Sequence, residues 1–389
     1  PKIKNINLCI IWFTIFIFIY HENSFFSGVA GHRVIDAGYQ PASFGVLFFI
    51  GIYLYLIKRI FLSIFFICLA ASFHPTYILH TGFLILGFIV HSLISKKYLE
   101  FFKISIFYFI LILPITLFII FNFIIIEKDI TIIGQEILLG RIPHHANIHY
   151  WFSYKDLFSL LTYFFSLFLL KDNSKFFVLF GVFGFCSIIL SLIQFILDNN
   201  SLALAFPWRT SVFIIHISSL IVISYFINKI KIEDKKLKFI ALSLILVSSL
   251  SFGYKSHYVK DLNSKFSSKL RLTSDIKKNF STIDNLLIPI TLEDIRMNIG
   301  LPVFIDWKHH ALRYDQLIEW RLRIDLANNF YESRTLEEQI FNLNKIQEID
   351  YISHILIKTN DLKIECKNLI NHKVFALVSV NECFDNAKN

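Results

Sequence analysis

Apolar runs of roughly 15–24 residues, nearly free of charge, follow one another through the first two thirds of the chain, on the scale of a membrane crossing. They occupy residues 6–20, 43–57, 60–73, 76–94, 103–126, 155–170, 176–197, 210–229 and 238–252. A helix needs roughly 20 residues to cross ~30 Å of hydrocarbon. The shorter runs reach that span by lengthening into the interface or by thinning the bilayer locally. The pattern therefore predicts nine membrane-spanning helices. The division at Pro75 is the weakest, because a proline can also kink a single long helix. Nine such runs in series exclude a set of buried helices in a soluble core.

After residue 252 the period changes. Residues 286–290 and 303–305 read as short buried strands. Thr291-Leu292-Glu293-Asp294 is an N-cap pattern opening a helix to about Asn298, with Gly300 to close it. Helical patterns follow at 314–331 and 335–347, then apolar runs at 352–357 and 374–379. Alternating strands and helices predict a small α/β domain with a largely parallel sheet.

Composition sharpens the division. The chain has 389 residues, of which 55% are hydrophobic and 17% charged, where soluble domains carry about 25% charge. Residues 1–252 hold 30 of the 67 Asp, Glu, Lys and Arg, and residues 253–389 hold 37. A single soluble globule is excluded by that asymmetry, and a disordered chain by the apolar content. The expected architecture is a polytopic α-helical membrane domain, 1–252, followed by a soluble α/β domain, 253–389.

Positive charge sets the threading. One set of loops carries fourteen cations: Lys2, Lys4, Lys58, Arg59, Lys96, Lys97, Lys103, Lys171, Lys175, Lys229, Lys231, Lys235, Lys236 and Lys238. The alternate loops carry five: Arg33, Lys128, Arg141, Lys155 and Arg209. The first set is expected to be cytoplasmic, which places the 253–389 domain outside the cell (inner) membrane. The net charge of +9 answers to that orientation and to anionic lipid. A nucleic-acid partner would need a basic stripe on a soluble face, and none is visible. There is no signal-peptide pattern. The chain opens on Pro1 rather than Met, so it is expected to be a fragment with helices upstream.

Threaded this way, unusual residues gather on the outer face: His21, Glu22, His32, Arg33 and Asp36 in the first loop, then Phe73-His74-Pro75-Thr76. Gly140-Arg141-Ile142-Pro143-His144-His145 with His149 and Trp151, and Phe206-Pro207-Trp208-Arg209, complete the set. Taken singly, histidine and tryptophan suit any membrane interface and an arginine snorkels. Together, polar groups this close to the membrane mark functional sites. Arg209 and His216 are seven apart and share a helix face, and His74 and His80 lie roughly on one side. The chemistry that fits is recognition of an anionic amphiphile head. Arg141 and Arg209 would fork onto phosphate oxygens, with Trp208, His74 and His216 beside them. His144 and His145 would donate or carry protons. A carboxylate would be needed as general base, Asp36 first and Glu22 behind it. Adjacent histidines rarely aim at one ion and no HExxH spacing is present, so no metal ligand is assigned. The cofactor stays open, with a divalent metal one option.

In the tail, the expected ligand position beyond the strand ends falls on Asp306, Trp307 and Lys308, with Glu319, Trp320, Arg321 and Arg323 on the next helix. A tryptophan and an ion pair that merely seal the domain would look the same in sequence. Cys9, Cys68 and Cys186 read as small core residues. An extracytoplasmic compartment permits a Cys366–Cys383 disulfide.

The order Phe73-His74-Pro75-Thr76, Arg141-Ile142-Pro143-His144-His145, Pro207-Trp208-Arg209, Leu287-Ile288-Pro289, Arg296 and Val303-Phe304-Ile305-Asp306-Trp307-Lys308 resembles a family of uncharacterised bacterial multi-pass membrane proteins. That family is similar to the GT-C class of glycosyltransferases. The likeness runs from about residue 20 to 357. It implies transfer of a sugar from a polyprenyl-phosphate carrier to an acceptor at the outer face, with polyprenyl-phosphate-linked sugar and membrane lipid as partners. It also implies an acidic residue in the first external loop as base or metal ligand; in a fragment that loop can precede Pro1, so the role does not pass securely to Asp36. The alternatives are a transporter or flippase, and a non-catalytic envelope protein.

Overall fold

The computed structural model describes residues 6–19, 28–29, 34, 41–147, 150, 152–229, 234–254, 274–277, 283–292, 294–308, 311, 313–358, 368–371 and 375–381. Asp36, Glu22, Cys366 and Cys383 lie outside the described residues. The chain divides into two compact units, one of residues 1–126 and 139–257, the other of residues 127–138 and 258–389.

The first unit is helical. Its elements are α1 (Ile6–Ile19), α2 (Val46–Leu56), α3 (Ile60–Phe73), α4 (Tyr77–Ile94) and α5 (Tyr98–Ile119). Then come α6 (Lys128–Arg141), which crosses from one unit to the other, and the single turn α7 (Pro143–Ala146). The series ends with α8 (Tyr154–Leu170), α9 (Ser174–Leu197), α10 (Asn200–Leu204), α11 (Ser211–Ile227) and α12 (Asp234–Gly253). A helix occupies each of the nine apolar runs. Among the described residues, four stretches are long and apolar enough to cross a membrane: Tyr77–Ile94, Tyr98–Phe123, Ser174–Leu197 and Asn200–Ile227. Ser43–Leu56, Ile60–Phe73 and Phe239–Ser251 are shorter apolar helices.

Both the interior and the exterior of this unit are apolar, as a helical membrane protein requires. Phe48, Tyr55, Phe88, Phe180, Phe183 and Phe213 are buried in one core. On the outside of α5, Ile106, Phe109 and Ile110 are 59%, 62% and 58% exposed, a contiguous face that water would not tolerate. Close packing is visible at Gly184, where any Cβ would collide with the Tyr163 ring. The Tyr163 hydroxyl donates to the carbonyls of Phe180 and Gly181, 3.2 and 3.0 Å away.

Between the apolar runs 103–126 and 155–170, where the hydropathy pattern leaves a connecting loop, the described residues are largely helical. In α6, Asp129 in the first turn and Arg141 in the last complement the helix dipole. Two glycines hide this helix from propensity. Gly134 has a packing reason instead: a Cβ there would come within 2.5 Å of Tyr314, a contact internal to the second unit.

That unit carries a four-stranded sheet in the order β1-β2-β4-β3. The strands are β1 (Leu286–Leu287), β2 (His354–Lys358), β3 (Asn368–Asn371) and β4 (Phe375–Ser379). Between β1 and β2 lie α13 (Asp294–Ile299), α14 (Tyr314–Glu332) and α15 (Leu336–Ile349). The expectation of a largely parallel sheet is corrected. Among the described residues β1 and β2 pair parallel and Leu286 makes a parallel bridge to Val303, while β2–β4 and β3–β4 are antiparallel. Only three residues separate Asn371 from Phe375, and so short a link joins neighbouring strands only as a hairpin. Gly300 (φ 74) closes α13 in the left-handed region. The Tyr331 hydroxyl ties β1 to β2 by donating to Leu287 O and Leu356 O, at 3.0 and 2.8 Å.

Candidate functional site

The α3–α4 turn and the approach to α11 meet at one end of the helical unit. His74 ends α3 in extended backbone, and Thr76 precedes α4. Opposite them, Phe206 takes a left-handed conformation (φ 50) before a 3-10 turn, Pro207–Thr210. A left-handed non-glycine residue costs roughly 1–2 kcal/mol. The cost is offset by what the turn holds in place. The Arg209 guanidinium lies 4.1 Å from the centre of the Phe206 ring, within cation–π range. Ser187 on α9 pins the turn by donating to Pro207 O at 2.6 Å, with Thr210 Oγ1 hydrogen-bonded to the same hydroxyl.

Arg209 Nη1 donates to Thr76 Oγ1 at 3.0 Å, and Thr76 Oγ1 is 2.9 Å from His74 Nδ1. A guanidinium can only donate. The arrangement that uses every proton runs one way: Arg209 gives to the hydroxyl, and the hydroxyl gives to His74 Nδ1. The imidazole proton then sits on Nε2, so His74 is a neutral donor. Burial, helped by the nearby Arg209 charge, pushes its pKa down to about 4. His80, fully buried, donates from Nδ1 to Thr76 O at 2.9 Å. Its Nε2 has no hydrogen-bond partner among the described residues. The Tyr77 ring stands 5.1 Å from His74 and 5.5 Å from His80.

Beside the turn lies an apolar cavity of about 180 Å³, with Trp208, Tyr163, Ser187, Ile214, Phe152 and Asp156 in its lining. Trp208 is 3% exposed. It is a cavity wall, packed edge-on to Phe206 at 6.0 Å, and not the interfacial anchor that its position in the sequence suggests. Leu139 and Ile142, either side of Arg141, pack in the cluster formed by Ala146, Ala203, Phe206 and Trp208. The Arg141 segment therefore borders the Arg209 turn. His144 and His145 lie on α7 in the same segment, and their side chains are outside the described residues. His216, two turns below Arg209, donates from Nδ1 to Val212 O at 2.6 Å and faces Phe49 at 6.2 Å.

Asp156 was not singled out by the sequence, and Thr76 stood in the Phe73–Thr76 motif without a role of its own. Asp156 is the fourth residue of a capping box, Ser153-Tyr154-Lys155-Asp156, and its Oδ2 accepts from Ser153 N and Oγ, both at 2.8 Å. That bland signature concealed a carboxylate in the cavity lining.

In the second unit Asp306 is 1% exposed. Its Oδ1 accepts from Lys308 N at 2.9 Å, and its Oδ2 pairs with Arg296 at 3.7 Å. Trp320 Nε1 donates to Asp306 O at 3.1 Å, and the Trp307 and Trp320 rings are 5.4 Å apart. These contacts clamp the segment after Val303 onto α14. No group of three or more His, Cys, Asp or Glu side chains able to hold a metal occurs among the described residues.

Comparison with known proteins adds no relative: no family model, curated protein or solved structure matches the chain.

Proposed function

We propose that this membrane protein is a glycosyltransferase acting at the extracytoplasmic face on a sugar linked to polyprenyl phosphate. The observation that carries the reading is the Arg209–Thr76–His74 chain beside an apolar cavity at the ends of apolar helices. A planar cation and a neutral imidazole donor suit a phosphate head, and the cavity suits a hydrocarbon tail. In transfer, the bond between the sugar's anomeric carbon and the phosphate oxygen breaks, and the oxygen leaves with the electron pair. An acceptor hydroxyl oxygen forms the new bond and gives its proton to a carboxylate, for which Asp36 is the candidate. Arg209, with Arg141 on the neighbouring segment, stabilises the charge growing on the leaving phosphate. In this account the chain crosses the inner membrane nine times and the 253–389 domain lies outside.

The test is sugar transfer from a polyprenyl-phosphate donor in proteoliposomes. Arg141→Ala together with Arg209→Ala abolishes transfer while the protein still inserts. Undiminished transfer by that variant removes the proposal.

A further inference from the structure

The opposite ends of α3 and α4 from His74 hold a second cavity, of about 660 Å³, where α3 and α5 begin. Lys58, Lys96, Lys97 and Lys103 line it with a single carboxylate, Glu100. Glu100 is engaged by Lys97 at 3.6 Å and by the Ser92 hydroxyl at 3.4 Å. The cavity is therefore strongly cationic.

Two of these lysines stand where lysine is the wrong residue for the backbone. The helices α2 and α4 end in the same way. Lys58 N donates to Tyr55 O and Arg59 N to Leu54 O, at 3.0 and 2.8 Å. Lys96 N donates to Leu93 O and Lys97 N to Ser92 O, at 2.9 and 2.8 Å. This paired closure puts Lys58 (φ 66) and Lys96 (φ 55) in the left-handed region, which glycine adopts at no steric cost. The chain twice accepts roughly 1–2 kcal/mol of strain to place an ammonium at this cavity. The helices α3 and α5 begin here without a side-chain cap and α2 and α4 end here, so the opposed charges of the helix termini offset one another and the lysines set the sign of the field.

The rest of the wall is apolar. Phe61 and Leu99 are 51% and 69% exposed, and Ile60 and Tyr98 adjoin them, on helices whose outer faces are apolar. We propose that this cavity holds the phosphate headgroup of an anionic phospholipid, with its acyl chains along the outer faces of α3 and α5. A soluble phosphate compound would use the lysines and leave the apolar wall without a partner.

The test uses the full chain in detergent, with phosphatidylglycerol and phosphatidylcholine as probes and native mass spectrometry counting bound lipid. The wild type retains phosphatidylglycerol over phosphatidylcholine. Lys58→Gly with Lys96→Gly removes both charges and relieves the backbone, so it melts no lower, yet phosphatidylglycerol retention falls roughly fivefold for each lysine removed. Lys103→Gln, on an exposed helix position, gives the same single-lysine loss without touching either turn. Retention unchanged in both variants overturns the proposal. Thermal stabilisation by inorganic pyrophosphate equal to that by phosphatidylglycerol also overturns it, in favour of a soluble phosphate ligand.

Discussion

Arg209 hydrogen-bonds Thr76 across 133 residues of sequence, and the bond orders the protons of its neighbours. The hydroxyl that accepts the guanidinium hydrogen bond donates its own hydrogen bond to His74 Nδ1. A cation, a hydroxyl and an imidazole thereby act as one unit, with a neutral N–H on His74 as its far terminus.

Thr76→Val keeps the shape of the side chain and removes the hydroxyl. Both Arg209 and His74 lose the hydrogen bond it supplied, at a cost of about 1–3 kcal/mol. Thermal unfolding in detergent should show a clear drop for Thr76→Val and little change for Thr76→Ser.

His74 gives a pH dependence with a definite sign. Its pKa falls from 6.5 to about 4 on folding, so the unfolded chain binds the proton more readily. The stabilisation from neutral His74 is complete above pH 6.5. It declines as pH falls below that value and is gone once the folded imidazole titrates near 4. Melting temperatures across this window should fall less steeply for His74→Gln than for the wild type.

Gly184→Ala forces a methyl into the Tyr163 ring. Overpacking of this kind costs about 1–3 kcal/mol. Tyr163→Phe keeps the ring and loses only its bonds to the Phe180 and Gly181 carbonyls, which the helix already satisfies, so it should cost about 1 kcal/mol or less. Chemical or thermal unfolding of the two variants compares them directly.

Asp306 tests whether the tail cluster is a clamp. Asp306→Ala removes a buried carboxylate from Arg296 and the Lys308 amide, and loss of a charged hydrogen-bonded group costs about 2–3 kcal/mol. Limited proteolysis should show earlier cleavage within 283–358, while binding of a polyprenyl phosphate per intact molecule stays at the wild-type level.

The helices were legible because their signal is redundant. Each of the nine long apolar runs before residue 252 carries a helix, and α14 and α15 match their predicted limits to within two residues. Helix α6 was not legible, since Gly134 is explained only by Tyr314, 180 positions away in sequence. The sheet was misread because β3, Asn368–Asn371, carries only two apolar residues and gives no strand pattern. At the site, sequence supplied Arg209, His74 and Trp208 but not their relationship. Thr76 joins the first two, and only folding reveals that a turn and a distant helix start share one hydroxyl. The direction in which Trp208 faces was likewise invisible, because a tryptophan at a helix end has the same sequence signature whether it meets lipid or a cavity.

The most direct measurement is photocrosslinking with a polyprenyl phosphate that carries a diazirine near its head, followed by peptide mapping. Labels should concentrate on residues 73–80 and 206–211, and Arg209→Ala should remove them while the protein stays folded. Labels spread evenly along the lipid-facing helices, or undiminished in Arg209→Ala, would contradict the assignment of this arginine to an anionic head.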